Sequence, residues 1–107
     1  MIEVTYHKKY HGVVVLGHAK CGEMGHDLVC AAVSSLVLTL AANVSGLVAS
    51  DTVRDYNICT AEGEAEIRCV PVRKMKSVVT LSYDTVCTGF DLLQTLYPEN
   101  ISYRVLG

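Results

Sequence analysis

Apolar and polar residues alternate in several short runs of the chain, a pattern typical of half-buried β-strands. The run from Val13 to Ala19 is apolar almost throughout and predicts a more fully buried strand. Lys8 to Gly12 and the turn Glu62-Gly63-Glu64 predict hairpin connections. The other predicted strands are Ile2 to His7, Thr52 to Thr60, Ala65 to Val72 and Ile101 to Leu106.

Two longer segments show the spacing of three and four residues that is typical of α-helices. The first begins at His26 or Asp27 and continues to about Val44, where Asn43 to Gly46 supplies a stop signal. It is apolar almost all round, so the sheet and a second helix or subunit must cover it. Pro98 ends the second helix. The apolar face of that helix comprises Met75, Val79, Tyr83, Val86, Phe90, Leu93 and Tyr97.

The predicted element order is β-β-α-β-β-α-β. This order, with short strands and two long helices, predicts an α+β fold in which both helices pack on a mixed sheet as a two-layer α/β sandwich. A chain of 107 residues is long enough for a hydrophobic core. Because no repeat or linker interrupts the pattern, we expect residues 1–107 to form one domain.

Composition and charge disfavour two classes of partner. Half the residues are hydrophobic, the net charge is −2 and no basic run occurs, so we expect no direct binding to nucleic acid. Leu28 to Val48 is the one long apolar segment, but its five polar side chains are too many for a membrane span of about 20 residues. They are Ser34, Ser35, Thr39, Asn43 and Ser45.

The N-terminus and the cysteines indicate the cellular compartment. Residues 1–5 match neither a signal peptide nor a transit peptide. Five cysteines without an export signal are typical of a reducing cytosol, and the odd count argues against a complete disulfide framework. We therefore expect a cytoplasmic protein in which Cys59, Cys69 and Cys87 are free packing cysteines.

Reactive residues are concentrated between Gly17 and Ser34. Cys30 lies in the first turn of the first predicted helix, where unpaired N–H groups and the helix dipole favour the nucleophilic thiolate. The same N–H groups could stabilise an oxyanion on an attacked carbonyl. His18 ends the second strand, and the loop that follows can bring it to Cys30 as a general base. This pair predicts nucleophilic hydrolysis.

Residue spacing leaves other interpretations of this stretch open. Cys30 could be a packing cysteine beside loop histidines, and His26 is a second candidate base. Asp27 is either a helix cap or also orients the histidine, and Ser34 either hydrogen-bonds near the site or bonds back to helix carbonyls. A structural Zn²⁺ site is a further alternative, with H-x2-C-x4-H-x3-C spacing. Its ligands would be His18, Cys21, His26 and Cys30.

The same stretch resembles the signature of a known family. That signature is a G-H-A segment, a short loop containing glycine, and G-H-D-hydrophobic-V-C-A followed by a serine. The matching residues are Gly17-His18-Ala19, Gly22 and the run from Gly25 to Ser34. By this motif, and by its length and element order, the chain is similar to the ribosomal-processing cysteine protease family, called Prp.

The resemblance implies a small homodimeric cysteine protease with a Cys–His dyad, for which we expect no metal and no cofactor. The family substrate is a short N-terminal extension on large-subunit ribosomal protein number twenty-seven, cleaved after aromatic residues. A non-catalytic ribosome-assembly protein that binds the extension without cutting it is the alternative. His18 would be the base and Cys30 the nucleophile, supported by Asp27 and Ser34. The glycines that would let the loop move around the peptide are Gly17, Gly22 and Gly25.

Cys21 departs from this signature, because the family pattern does not demand a cysteine at that position. This weakens the zinc interpretation, which needs Cys21 as its fourth ligand. It also makes Cys21 a reactive neighbour that could trap Cys30 as a disulfide under oxidation.

Overall fold

The computed structural model describes residues 1–17, 26–61 and 63–107. In these residues five strands form one mixed sheet, and two long helices pack on one of its faces. The side chains of His26 and Asp27 are outside this description. The elements are β1 (Ile2–His7), β2 (Gly12–Leu16), α1 (His26–Ala49), β3 (Val53–Ala61), β4 (Glu64–Pro71), α2 (Lys76–Leu96) and β5 (Ile101–Leu106). The predicted order and the α+β class are confirmed.

The strands lie side by side in the order β3-β4-β2-β1-β5. β5 runs parallel to β1, and the other neighbours are antiparallel, which makes the sheet mixed. Leu16 at the end of β2 pairs with Glu3 on one side and with Glu64 on the other. The end of β2 therefore lies beside the start of β4. The candidate site lies at this end of the sheet.

A continuous hydrophobic core fills the space between the sheet and the helices. Residues three or four positions apart on each helix are buried, as the sequence predicts. From α1 they are Val29, Val33, Val37, Leu40 and Val44, and from α2 Val79, Tyr83, Cys87 and Phe90. Leu28–Ala49 is also long and apolar enough to cross a membrane, by length and composition alone. In this fold its buried stripe packs in the core.

Buried tyrosines join α2 to the sheet. The rings of Tyr6 on β1 and Tyr83 on α2 are stacked with their centroids 5.9 Å apart. The Tyr6 hydroxyl donates to Asp84 Oδ1 at 2.9 Å, and the Tyr83 hydroxyl donates to the Ile67 carbonyl at 3.1 Å. Burial raises the pKa of both phenols, so both stay neutral donors at physiological pH.

The end of α1 differs from the prediction, because the helix continues through Gly46 to Ala49. It ends in a Schellman motif, in which Thr52 N–H bonds to Leu47 O at 2.9 Å and Asp51 N–H to Val48 O at 3.1 Å. Asp51 adopts the left-handed conformation with a φ of 58°. A glycine inside a helix costs only about 1 kcal/mol, which the burial of Val44 offsets.

Two glycines inside helices allow a matched test of this account. A Cβ added at Gly46 would meet nothing within 4 Å, whereas at Gly89 it would lie 2.7 Å from Leu36 Cδ2. We expect Gly46→Ala to raise the free energy of unfolding by about 0.5–1 kcal/mol. Gly89→Ala should gain less or lose stability, because Leu36 must move. Urea denaturation measures both, and a loss of stability in Gly46→Ala would contradict the account.

Candidate active site

Cys30 lies near the start of α1, five residues into a helix that begins at His26. His26 was one of the two predicted starts, so Asp27 lies inside the first turn rather than at the cap position. Cys30 was predicted in the first turn but begins the second turn. The Cys30 side chain is 8% exposed and joins the hydrophobic core beside Val29 and Val33. Cys30 therefore lies near the positive end of the helix dipole and is almost completely shielded from water.

The fold brings the start of α1 and the end of β2 to the same end of the molecule. Thr52 N–H bonds to Leu47 O near the end of α1, and Val72 N–H, just after β4, bonds to Thr52 O. The last residues of α1 and of β4 therefore lie close together, at the end of the molecule away from Leu16. Cys30 precedes Ala49 by about 28 Å of helix at 1.5 Å per residue. From Pro71, the end of β4, back to Glu64, which pairs with Leu16, the strand is about 23 Å long at 3.3 Å per residue. Cys30 is thus roughly level with Leu16 at the end of β2.

Gly17 fixes the direction in which the chain leaves β2. Its φ is +88°, and its N–H donates to the Gly63 carbonyl at 2.9 Å. A Cβ at this position would lie 2.9 Å from the backbone oxygen of Met1, so both the conformation and the space require glycine. β2 was predicted to continue to Ala19 but ends at Leu16, because the chain turns at Gly17.

Several predicted site residues lie outside the described part of the chain. They are His18, Cys21, Gly22 and Gly25, together with the side chains of His26 and Asp27. Ser34 is described: it is partly buried, four residues after Cys30 and therefore on the same face of α1. Among the described residues, no group of three or more His, Cys, Asp and Glu side chains could hold a metal ion. The zinc hypothesis stays a prediction, since three of its four ligands are not described.

The cysteines of the described residues fall into three chemical states. Cys30 is disulfide-bonded, and Cys59, Cys69 and Cys87 are free. Burial raises the pKa of the Cys87 thiol to about 12, and it also raises the pKa of the Cys69 thiol. Both are packing cysteines, as predicted, and neither is a nucleophile at neutral pH. Cys59 was expected to pack as well, but it is exposed on β3.

The disulfide has a direct chemical consequence for Cys30. A sulfur atom in a disulfide holds no thiolate, and attack on a carbonyl requires one. Reduction must therefore precede any reaction that uses Cys30 as a nucleophile. The expectation that Cys21 traps Cys30 under oxidation stays a prediction, because Cys21 lies outside the described residues.

Comparisons with known proteins point to one family over the whole chain. The family model "Cysteine protease Prp" matches residues 1–102. The ribosomal processing cysteine protease Prp of Staphylococcus aureus is 30% identical over 100 residues, which are 94% of this chain and 91% of that protein. A crystal structure of a Streptococcus mutans protein is 30% identical with a TM-score of 0.73, covering 99% of this chain and 94% of that one.

Two crystal structures of S. aureus Prp have the same fold. One is in complex with a substrate peptide and has a TM-score of 0.70 at 25% identity. The other carries a covalently linked product peptide and has a TM-score of 0.68 at 26% identity. Each match covers 98% of this chain and 97% of the other. The matched fold places a peptide-cleaving activity on this α+β scaffold.

Thiol chemistry tests the three cysteine states. The denatured protein should show fewer thiols without reductant than the five that appear after reduction, because Cys30 is bonded. In the folded, reduced protein at pH 8, iodoacetamide should modify Cys59 at least tenfold, as an order of magnitude, faster than Cys69 or Cys87, whose raised pKa keeps them protonated. Mass spectrometry of peptides locates the label. Five thiols without reductant would contradict the disulfide.

Proposed function

The chain belongs to the cysteine protease Prp family, and we propose that it removes a short N-terminal extension from large-subunit ribosomal protein number twenty-seven through a dyad of Cys30 and His18. One observation carries the proposal. Cys30 lies near the start of α1, roughly level with the end of β2, and His18 follows Gly17 in the sequence, outside the described residues. Cleavage by a thiol needs a nucleophile and a base at one place.

The reaction begins when the Cys30 thiolate attacks the carbonyl carbon of the scissile bond. The developing oxyanion accepts hydrogen bonds from N–H groups at the start of α1, and His18 donates a proton to the leaving amine as the C–N bond breaks. Water, deprotonated by His18, then attacks the thioester, and Cys30 leaves as a thiolate. The covalently linked product peptide on S. aureus Prp supports such an intermediate.

Asp27 and Ser34 have supporting roles in this proposal. Asp27 in the first turn stabilises the start of α1, and thereby holds the backbone N–H groups in place. Ser34 lies one turn after Cys30 on the same face and supports the position of its neighbour. Gly17, Gly22 and Gly25 let the loop open for an extended peptide and close over it, which excludes water.

We also propose that the enzyme works in the cytoplasm as a homodimer. A reducing cytosol maintains the free thiol that Cys30 needs. The dimer is argued from α1, where the segment Leu28–Ala49 contains no charged residue. Leu28 and Leu38 are 64% and 58% exposed on its outer side. A symmetric pair of chains would bury this uncharged face.

The nucleophile is tested by paired serine variants of the reduced protein. Cys30→Ser should keep the fold and lose at least 100-fold in cleavage of a peptide that contains the extension, because serine at this place lacks a thiolate. The matched control Cys59→Ser, on an exposed strand residue, should keep the full rate. Mass spectrometry of the products measures cleavage, and circular dichroism checks the fold. Full activity in Cys30→Ser would refute the proposal.

The dimer is tested by light scattering after gel filtration. Leu38→Arg should lower the measured mass from that of a dimer to that of one chain, 11.6 kDa, because a buried unpaired charge opposes association. Leu92→Arg on α2 is the matched control, since Leu92 is equally exposed at 58%. A wild-type protein that elutes as a single chain at micromolar concentration would rule out the dimer.

A further inference from the structure

A large cavity opens at the end of the molecule opposite Cys30. It has a volume of about 790 Å³ and lies between the 3₁₀ turn after β1, the β3–β4 hairpin and the start of α2. Five of the nine cationic residues of the chain line it. We call it the basic cavity, and its cations are Lys9, Arg54, Arg68, Arg73 and Lys76.

The charge of the basic cavity is poorly balanced by the protein itself. Asp55 is its one lining carboxylate, and it accepts a hydrogen bond from the Tyr56 backbone N–H at 2.9 Å. Across the described residues, the one ion pair made by a cation of the cavity is Arg68 Nε with Glu66 Oε1, at 3.5 Å. The other four cations are exposed and without an ionic partner in that part of the chain. This arrangement favours an anionic ligand.

The N-terminal end of α2 adds to the positive electrostatic potential of the basic cavity. No side chain caps this 21-residue helix, and its first turn contains no acidic residue. Arg73 and Lys76 lie instead at its N-terminal end, where the helix dipole opposes cations. Local stability would favour Asp or Glu at these positions, so the cations cost helix stability. A bound phosphate would interact favourably with the positive end of the helix dipole and would reduce the repulsion between the cations.

A buried histidine holds the cavity together. His11 is 3% exposed, and its φ is 52°. Its Nε2 lies 2.7 Å from Thr80 Oγ1 on α2, and its carbonyl accepts from Cys69 N–H at 3.1 Å. Burial, and then Lys76, lower the pKa of His11, and Asp84 acts in the opposite direction. His11 therefore fixes the turn that carries Lys9 against both β4 and α2.

Two aromatic rings stand beside the cations. Tyr10 is 68% exposed and Tyr56 is 53% exposed, and both line the basic cavity. Cations that bind phosphates together with exposed rings that stack on bases are the recurring features of single-strand nucleic acid sites. An acidic peptide would use the cations but would gain little from the rings.

We propose that the basic cavity binds single-stranded RNA, with phosphates on its cations and bases stacked on Tyr10 and Tyr56. The cavity chemistry alone points to a single-stranded nucleic acid, and the choice of RNA rests on the proposed function in ribosomal processing. The chain as a whole carries a charge of −2, from which no binding to nucleic acid was expected. The fold brings together cations from four separate segments of the chain. The net charge of the chain does not reveal this local concentration of positive charge.

Fluorescence anisotropy with a labelled 12-nucleotide oligouridine tests this site on the full-length, reduced protein. The double variant Arg54→Gln/Arg73→Gln should bind at least tenfold more weakly, because each removed cation loses a phosphate contact. Tyr10→Ala and Tyr56→Ala should each lose at least fivefold through lost stacking. Arg104→Gln is the matched control, because Arg104 is an exposed cation on β5 outside the cavity.

Salt and competition complete the test. Four phosphate contacts predict a loss of affinity of about 50-fold between 50 and 200 mM salt. No binding at 50 mM salt, or equal losses in Arg104→Gln and the double variant, would overturn the proposal. So would a 12-residue polyglutamate that binds as well as RNA and is unaffected by the tyrosine variants, which would identify an acidic-peptide site. The double variant should cleave the extension peptide at the wild-type rate, so RNA binding and proteolysis fail independently.

Discussion

The packing of α1 against the sheet is the interaction on which the rest of the structure depends. Five side chains of one stripe, from Val29 to Val44, are buried in the core. Each contributes roughly 1.5–3 kcal/mol by leaving water. Because this stripe is continuous, the helix cannot rotate or slide without exposing several of these side chains at once. The rigid helix therefore fixes Cys30 at one end of the molecule and the turn into β3 at the other.

The elements with a clear hydrophobic period could be predicted from the sequence. β1 and β5 have the predicted bounds, and Val79, Tyr83 and Phe90 of the predicted α2 face are buried. Val86 of that face is only partly buried, and Met75 precedes the helix. The end of α1 could not be predicted, because Gly46 is a local helix-stopping signal and the Schellman turn depends on Asp51 in a conformation that sequence patterns rarely reveal. Tertiary packing of the last turn outweighed the propensity of one glycine.

For the candidate site, the sequence predicted the position of Cys30 near the start of α1 but not its surroundings. This position followed from the apolar run, although the helix begins at His26 and Cys30 begins its second turn rather than lying in the first. The approach of Gly17 to Met1 could not be predicted, since it depends on strand pairing between residues distant in the chain. The basic cavity was missed for the same reason. Its cations come from four separate segments of the sequence and come together only when the turn after β1, β3, β4 and the start of α2 meet.

The two ends of α1 relate the proposed cleavage site to the proposed RNA site. Cys30 and the turn into β3 are separated by about 28 Å of helix. An extended peptide spans about 3.3 Å per residue, so roughly eight or nine residues would bridge the two ends. RNA held at the basic cavity could therefore belong to the same complex as the peptide held at Cys30, since neither ligand would have to cross the other's site.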